Sequence, residues 1–219
     1  MTIVAGALFL VSLTAMANVV TFDETQFSSF YGPENLTING SGNLLVPVVL
    51  SGFGAAGTTL PSGASFITTS FLDSGSTSGP AGELWVQDFA NSHLYEAAVG
   101  AFTGLSDYVV MYRIDGTAVS QFLDTGIART AGVHSAGVAL LSNGTLDFFV
   151  DGNLAGSATA AQYGIPEFSD ALLTVNGPDN GDEATFTSFS LAPEPSSLGC
   201  LVVILASFWF VRKRFSRGA

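Results

Sequence analysis

The side chains able to carry chemistry are few, and most are carboxylates. The chain has 219 residues, with 18 Asp and Glu, two His and one Cys. His93 and His134 alone cannot build a metal site on several imidazoles. Cys200 lies in an apolar run near the C-terminus, so the body of the chain holds neither a thiol nucleophile nor a disulfide. Serines are many, but no Gly-x-Ser-x-Gly elbow occurs. Carboxylate chemistry remains. Cleaving a glycosidic bond needs two carboxyls flanking it. Asp147 and Asp151 have same-face spacing, but Asp151 opens an Asp-Gly turn and is expected to shape it through its side chain. Asp179-Asn180-Gly181-Asp182-Glu183 could offer oxygen ligands to Ca²⁺; its spacing is not that of an EF-hand loop, and a β-turn explains the same residues. No cofactor is expected. His134 shares the parity of Ala136, Val138 and Leu140 and reads as a structural histidine on the inward face.

The elements that position these residues are short strands. Runs rich in Val, Ile, Phe and Thr alternate with clusters of Gly, Ser, Asn and Asp, and no stretch sustains a helical period. Strands are expected at 19–22, 36–38, 44–46, 65–71, 84–89, 93–99, 108–114, 121–124, 133–141, 145–150, 171–175 and 184–191. Residues 73–82 are expected as a loop. Ser142-Asn143-Gly144 between two apolar runs is the clearest hairpin signal, because Asn and Gly tolerate positive φ. Beyond it Leu146, Phe148 and Val150 share one face. Trp85 lies between Leu84 and Val86, with Gln87 and Phe89 on its own face.

The segment from His134 through Asn143-Gly144 to Phe149-Val150-Asp151-Gly152 resembles the concanavalin A-like, or laminin-G-like, β-sandwich. The resemblance implies two antiparallel sheets in jelly-roll order and, often, carbohydrate binding. Trp85, Tyr95 and Tyr112 are then the aromatic candidates for glycan contact. Hydrolases of this fold that resemble laminarinases carry Glu-x-Asp-x-x-Glu, or a near variant, on one strand; that pattern is absent here.

The ends of the chain carry different signals. Residues 1–17 are apolar and close on Ala15-Met16-Ala17, the small-x-small pattern of a signal peptide cut before Asn18, although no Lys or Arg precedes the run. At the other end Pro193-Glu194-Pro195 is followed by an uncharged stretch reaching Val211, with Trp209 near its end, then by Arg212, Lys213, Arg214 and Arg217. Two prolines in three residues end the folded body. An apolar span, an interfacial Trp and a basic cluster read as a membrane-spanning helix over 196–211 with its C-terminus in the cytoplasm. At 1.5 Å per residue that helix rises about 24 Å, short of the ~30 Å hydrocarbon core. The tail resembles the PEP-CTERM sorting signal of exported bacterial proteins. That resemblance implies processing near Pro193-Glu194-Pro195 by an exosortase-type enzyme, with Glu194 as a recognition residue.

Between the ends, residues 18–192 hold seventeen of the acids and only Arg113 and Arg129 as bases, a net charge of −15. Such a surface repels nucleic acid and anionic membranes. The sequence thus reads as a signal peptide (1–17), an all-β antiparallel jelly-roll ectodomain (18–192) and a sorting tail (193–219). The function expected from it is that of an exported surface or matrix protein, associated with extracellular polysaccharide and without catalysis. A ligand-free structural protein and a polysaccharide hydrolase are the alternatives.

Overall fold

The structure is a computed structural model that describes residues 18–20, 22, 26–29, 36–49, 52–88, 95–113, 120–159, 167–179 and 182–193. The signal peptide expected at 1–17 and the tail from Glu194 onward lie outside them. Along the chain the strands are β1 (Asn18–Val20), β2 (Ser28–Ser29), β3 (Thr37–Ile38), β4 (Leu44–Pro47), β5 (Phe53–Thr59), β6 (Ala64–Ser74), β7 (Ala81–Asp88) and β8 (Tyr95–Gly100). They continue as β9 (Asp107–Arg113), β10 (Ser120–Ala128), β11 (Ala131–Leu140), β12 (Thr145–Val150), β13 (Asn153–Thr159), β14 (Asp170–Asn176) and β15 (Glu183–Pro193). Every pairing is antiparallel.

Two sheets result. One runs β13-β12-β11-β6-β15-β4-β3, with β1 also on β15; the other runs β10-β9-β8-β7-β14-β5-β2. Neighbours in space are mostly distant in sequence, as an antiparallel sandwich requires and in keeping with the expected jelly roll. Phe71, Ile67, Phe148, Leu146, Phe186 and Phe189 from the first sheet meet Leu84, Val86, Tyr108 and Leu173 from the second in one core. Gly82 admits the Phe71 ring, which a Cβ there would meet at 3.1 Å.

The hairpin of β11 and β12 forms as its residues dictate. Gly144 takes φ +80°, and Asn143 Oδ1 accepts the Thr145 N–H at 2.9 Å. Its inward residues are buried, and Phe148 is 0% exposed beneath the stacked Tyr112 ring. Phe148→Ala should therefore cost roughly 3–5 kcal/mol by urea titration. A loss below about 1 kcal/mol would contradict this packing.

Three strands go beyond the sequence reading. β5 is Phe-Gly-Ala-Ala-Gly-Thr-Thr, too poor in bulky apolar residues to announce a strand. Its small residues are a steric requirement: a Cβ on Gly54 would fall 1.9 Å from the Pro47 carbonyl oxygen. β13 is an edge strand whose side chains are mostly exposed, and β2 is two serines.

Candidate active site

Because side chains alternate along a strand, each sheet has a second face, turned away from the core. On β7, Leu84 and Val86 point into the core, so Glu83, Trp85 and Gln87 point outward. The register sets their neighbours. Glu83 lies between Gly100 of β8 and Thr174 of β14. Trp85 lies between Ala98 and Leu172. Gln87 lies between Glu96 and Asp170. The centre of this face is enclosed: Ala55, Ala98, Val109 and Leu172 are as buried as core residues.

Glu83 is the unusual group here. It is 2% exposed, on a face with no cation beside it in the register. Trp85 Nε1–H donates to its Oε2 at 2.6 Å, and Thr174 Oγ1–H donates to the same oxygen at 3.3 Å. Oε1 is buried and has no hydrogen-bond partner among the described residues. Burial pushes the carboxyl up to about 8, against the two donors, which pull it down. The proton of the neutral acid thus belongs on Oε1, since Oε2 is already occupied by two donors. A recess beside Glu83 is lined by Ala98, Gly100, Phe102, Val109 and Met111. Phe122, 46% exposed, packs edge-on against Phe102 at 5.4 Å between ring centroids. On the other side Trp85 meets Phe53 edge-on at 6.5 Å. A protonated carboxyl flanked by aromatic rings is a proton donor to an oxygen that reaches it.

One end of this wall is pinned from inside. Arg129 donates through Nη2 and Nε to Asp73 at 2.8 and 3.0 Å, and through Nη1 to the carbonyls of Phe102 at 2.9 Å and Leu105 at 3.2 Å. Burial acts to raise the Asp73 pKa, but Arg129 and the Gly75 N–H outweigh it and hold the carboxyl below its ordinary value.

The residues singled out from sequence do not come together. Trp85 is on the outer face beside Glu83, whereas Tyr112 turns inward and stacks on Phe148 at 6.4 Å. Tyr95 pairs through its backbone with Asp88. Asp147 accepts the Ser157 hydroxyl at 2.6 Å on the outer face of the other sheet. Asp151 accepts the Ser135 N–H at 2.8 Å, and its other oxygen meets His134 Nδ1 at 2.8 Å, so the pair ties the turn to β11. Asp182 Oδ2 accepts the Asp179 N–H at 3.2 Å within the acidic turn. Among the described residues no three His, Cys, Asp or Glu side chains cluster as a metal site. Sequence reasoning passed over Glu83. Its signal was the alternation Glu83-Leu84-Trp85-Val86-Gln87, which puts it on the face of Trp85 and Gln87.

The fold is an all-β antiparallel two-sheet sandwich, and it matches the jelly-roll fold of solved glycosidases. The chain is similar to the β-glucanase of Bacillus licheniformis, at 11% identity and TM-score 0.60, over 83% of this chain and 100% of that one. It is similar to a native glycosidic hydrolase at 13% identity and TM-score 0.62, over 82% and 97%. A prokaryotic β-1,3-1,4-glucanase (lichenase) from a mouse hindgut metagenome matches at 11% and 0.57, over 78% and 95%. No protein-family model matches the chain, and no curated protein matches it in sequence. The expectation of a protein without catalysis is corrected here: the solved structures just named are carbohydrate-cleaving enzymes, and another of like fold is a transglycosylase. Absence of the Glu-x-Asp-x-x-Glu pattern had argued against an enzyme. β7 nevertheless carries carboxyls at the first and last positions of that pattern, Glu83 and Asp88, with Trp85 where its middle Asp would stand.

Proposed function

We propose that the protein acts on a polysaccharide chain laid across the outer face of the seven-stranded sheet, cleaving or transferring a glycosidic bond. Glu83 is the proton donor in this reading. The observation that carries it is the buried, unpaired Oε1 of a carboxyl whose pKa is pushed up to about 8, on the central strand of the face away from the core. A general acid works best with a pKa near the operating pH. Trp85 and Phe122 supply apolar surfaces on either side for sugar rings. β-Glucans are the first substrates to try, because several solved structures of this fold are named glucanases. Purified full-length protein should release reducing ends from barley β-1,3-1,4-glucan or from laminarin. No release from either would contradict the proposal.

Export and sorting complete it. The support is the order of segments in the sequence: an apolar start closing on Ala15-Met16-Ala17, and Pro193-Glu194-Pro195, an apolar run and a basic end. In this reading a signal peptide directs the sandwich out of the cytoplasm, and an exosortase-type enzyme processes the tail at the surface. Replacing Arg212, Lys213 and Arg214 together with Gln should reduce membrane retention of the precursor. Unchanged fractionation would count against the tail as an anchor.

A further inference from the structure

The outer face of the eight-stranded sheet is almost without charge over four neighbouring strands. On β6, Ile67 and Phe71 enter the core, so Phe66, Thr68, Ser70 and Leu72 point outward. The register carries this face across Val133 and Gly137 of β11, Asp147 and Phe149 of β12, and Leu154 of β13. Val133 and Leu154 are each 60% exposed, and Leu72, the partner of Val133, is 51% exposed. Phe66 leans over Gly137 to meet Phe149 edge-on at 5.8 Å, and a Cβ on Gly137 would lie 3.4 Å from the Phe66 ring. Between these groups the hydroxyls of Thr68 and Ser190 bond to each other at 2.6 Å. Among the described residues of β6, β11, β12 and β13, one outward side chain is charged, Asp147, and it accepts the Ser157 hydroxyl at 2.6 Å. The outer face of the other sheet carries Glu83, Glu96, Asp124 and Asp170. On a body of net charge −15, a nearly uncharged sheet face with exposed apolar side chains marks a contact surface.

The path of the chain says what covers it. β15 lies beside β6 and ends on Ala192 and Pro193, the partners of Phe66 and Ala64. The apolar run read as a membrane span starts at Ser196, and three residues of chain reach at most about 10 Å. β1 pairs with the same strand, Asn18 opposite Leu191, so the apolar run 1–17 joins the fold at this end as well.

Resting on the reading of the tail as a membrane anchor, we propose that this face lies on the bilayer that holds the tail, with Phe66, Phe149, Leu154, Leu72 and Val133 at the lipid interface. The contact need not be strong. A tether this short holds the face near the lipid at an effective concentration on the order of millimolar, so a weak affinity keeps it seated. The apolar side chains gain by leaving water. The scarcity of carboxylates spares this face the desolvation and the repulsion that the rest of the body would meet at an anionic lipid surface. The two outer faces of a sandwich point in opposite directions, so seating this one turns Glu83 and Trp85 away from the membrane.

The test uses the full-length protein carrying Cys200→Ser, reconstituted into phosphatidylcholine vesicles. Val133→Cys, Leu154→Cys and Phe122→Cys are made singly in that background, and each new thiol carries a fluorophore. All three sites are exposed, and Phe122 is the control on the outer face of the seven-stranded sheet. Brominated lipids should take away most of the fluorescence of the labels on Val133→Cys and Leu154→Cys and leave that on Phe122→Cys unchanged. If the first two labels stay bright on vesicle-bound protein, this inference fails and the tail still stands as the anchor. Quenching of the Phe122→Cys label, with or without the others, would overturn it. Labels on Val133→Cys and Leu154→Cys that are shielded from water yet unaffected by bromine, with cross-linking between chains, would assign the face to a second copy instead. Protein that does not float with the vesicles would remove the reading of the tail, and this inference with it.

Discussion

Glu83→Gln should abolish glucan cleavage and at the same time stabilise the fold. The loss in rate is expected at about 10²–10⁴-fold, the range for removal of a general acid. The gain in stability follows from linkage. The native carboxyl holds its proton up to about pH 8, whereas the unfolded chain releases it near 4.5. Between those values unfolding releases a proton, so each rise in pH favours the unfolded state. The fold is thus free of this penalty below about pH 4.5, loses stability as pH climbs, and carries the whole penalty above about 8. An amide still accepts from Trp85 and has no charge to desolvate. Urea titrations of the two proteins should nearly coincide at pH 4.5 and diverge toward pH 8, by on the order of 3–5 kcal/mol in favour of the variant. A variant less stable than wild type at pH 8 would mean that the Glu83 pocket is not the low-dielectric site described here.

The second large effect is at the ion pair under the aromatic wall. Arg129→Met should cost roughly 3–5 kcal/mol, because it leaves the fully buried Asp73 carboxylate uncompensated. It should also lower activity in the protein that remains folded, since Arg129 holds the Phe102 carbonyl and the Phe102 ring lines the recess at Glu83. The pair has its own pH dependence, opposite in sense to that of Glu83. The Asp73 pKa is lowered on folding, so its contribution is present above the ordinary carboxylate value and is lost as pH falls below it. Asp73→Leu combined with Arg129→Met should recover much of the stability, because removing both charges leaves none buried alone. A single Arg129→Met within about 1 kcal/mol of wild type would contradict the clamp.

How far these features could be read from sequence depends on whether their cause is local. The β11–β12 hairpin was legible because Asn143-Gly144 fixes the turn and the turn fixes the register of Phe148. β5 was not, because glycines and alanines look like a loop until β4 and β14 are known to press against them. Arg129 gave no signal, since its partner Asp73 lies 56 residues away. Glu83 was hidden for another reason. Alternation shows that it shares a face with Trp85 and Gln87, but not that this face is enclosed, and enclosure is what raises the pKa of an ordinary acid. The motif is also broken in the middle, where Trp85 stands in place of an Asp, and that drew attention away from β7.

The most direct test of the account is the titration of Glu83 itself. Carbon-13 NMR of the side-chain carboxyls, with the Glu83 resonance assigned by its absence from Glu83→Gln, gives the midpoint without any assumption about substrate. The account requires a midpoint near 8, so that most molecules carry the proton at neutral pH. A midpoint near 4.5 would leave Glu83 ionised with no proton to give, and the proposed chemistry on this face would fall.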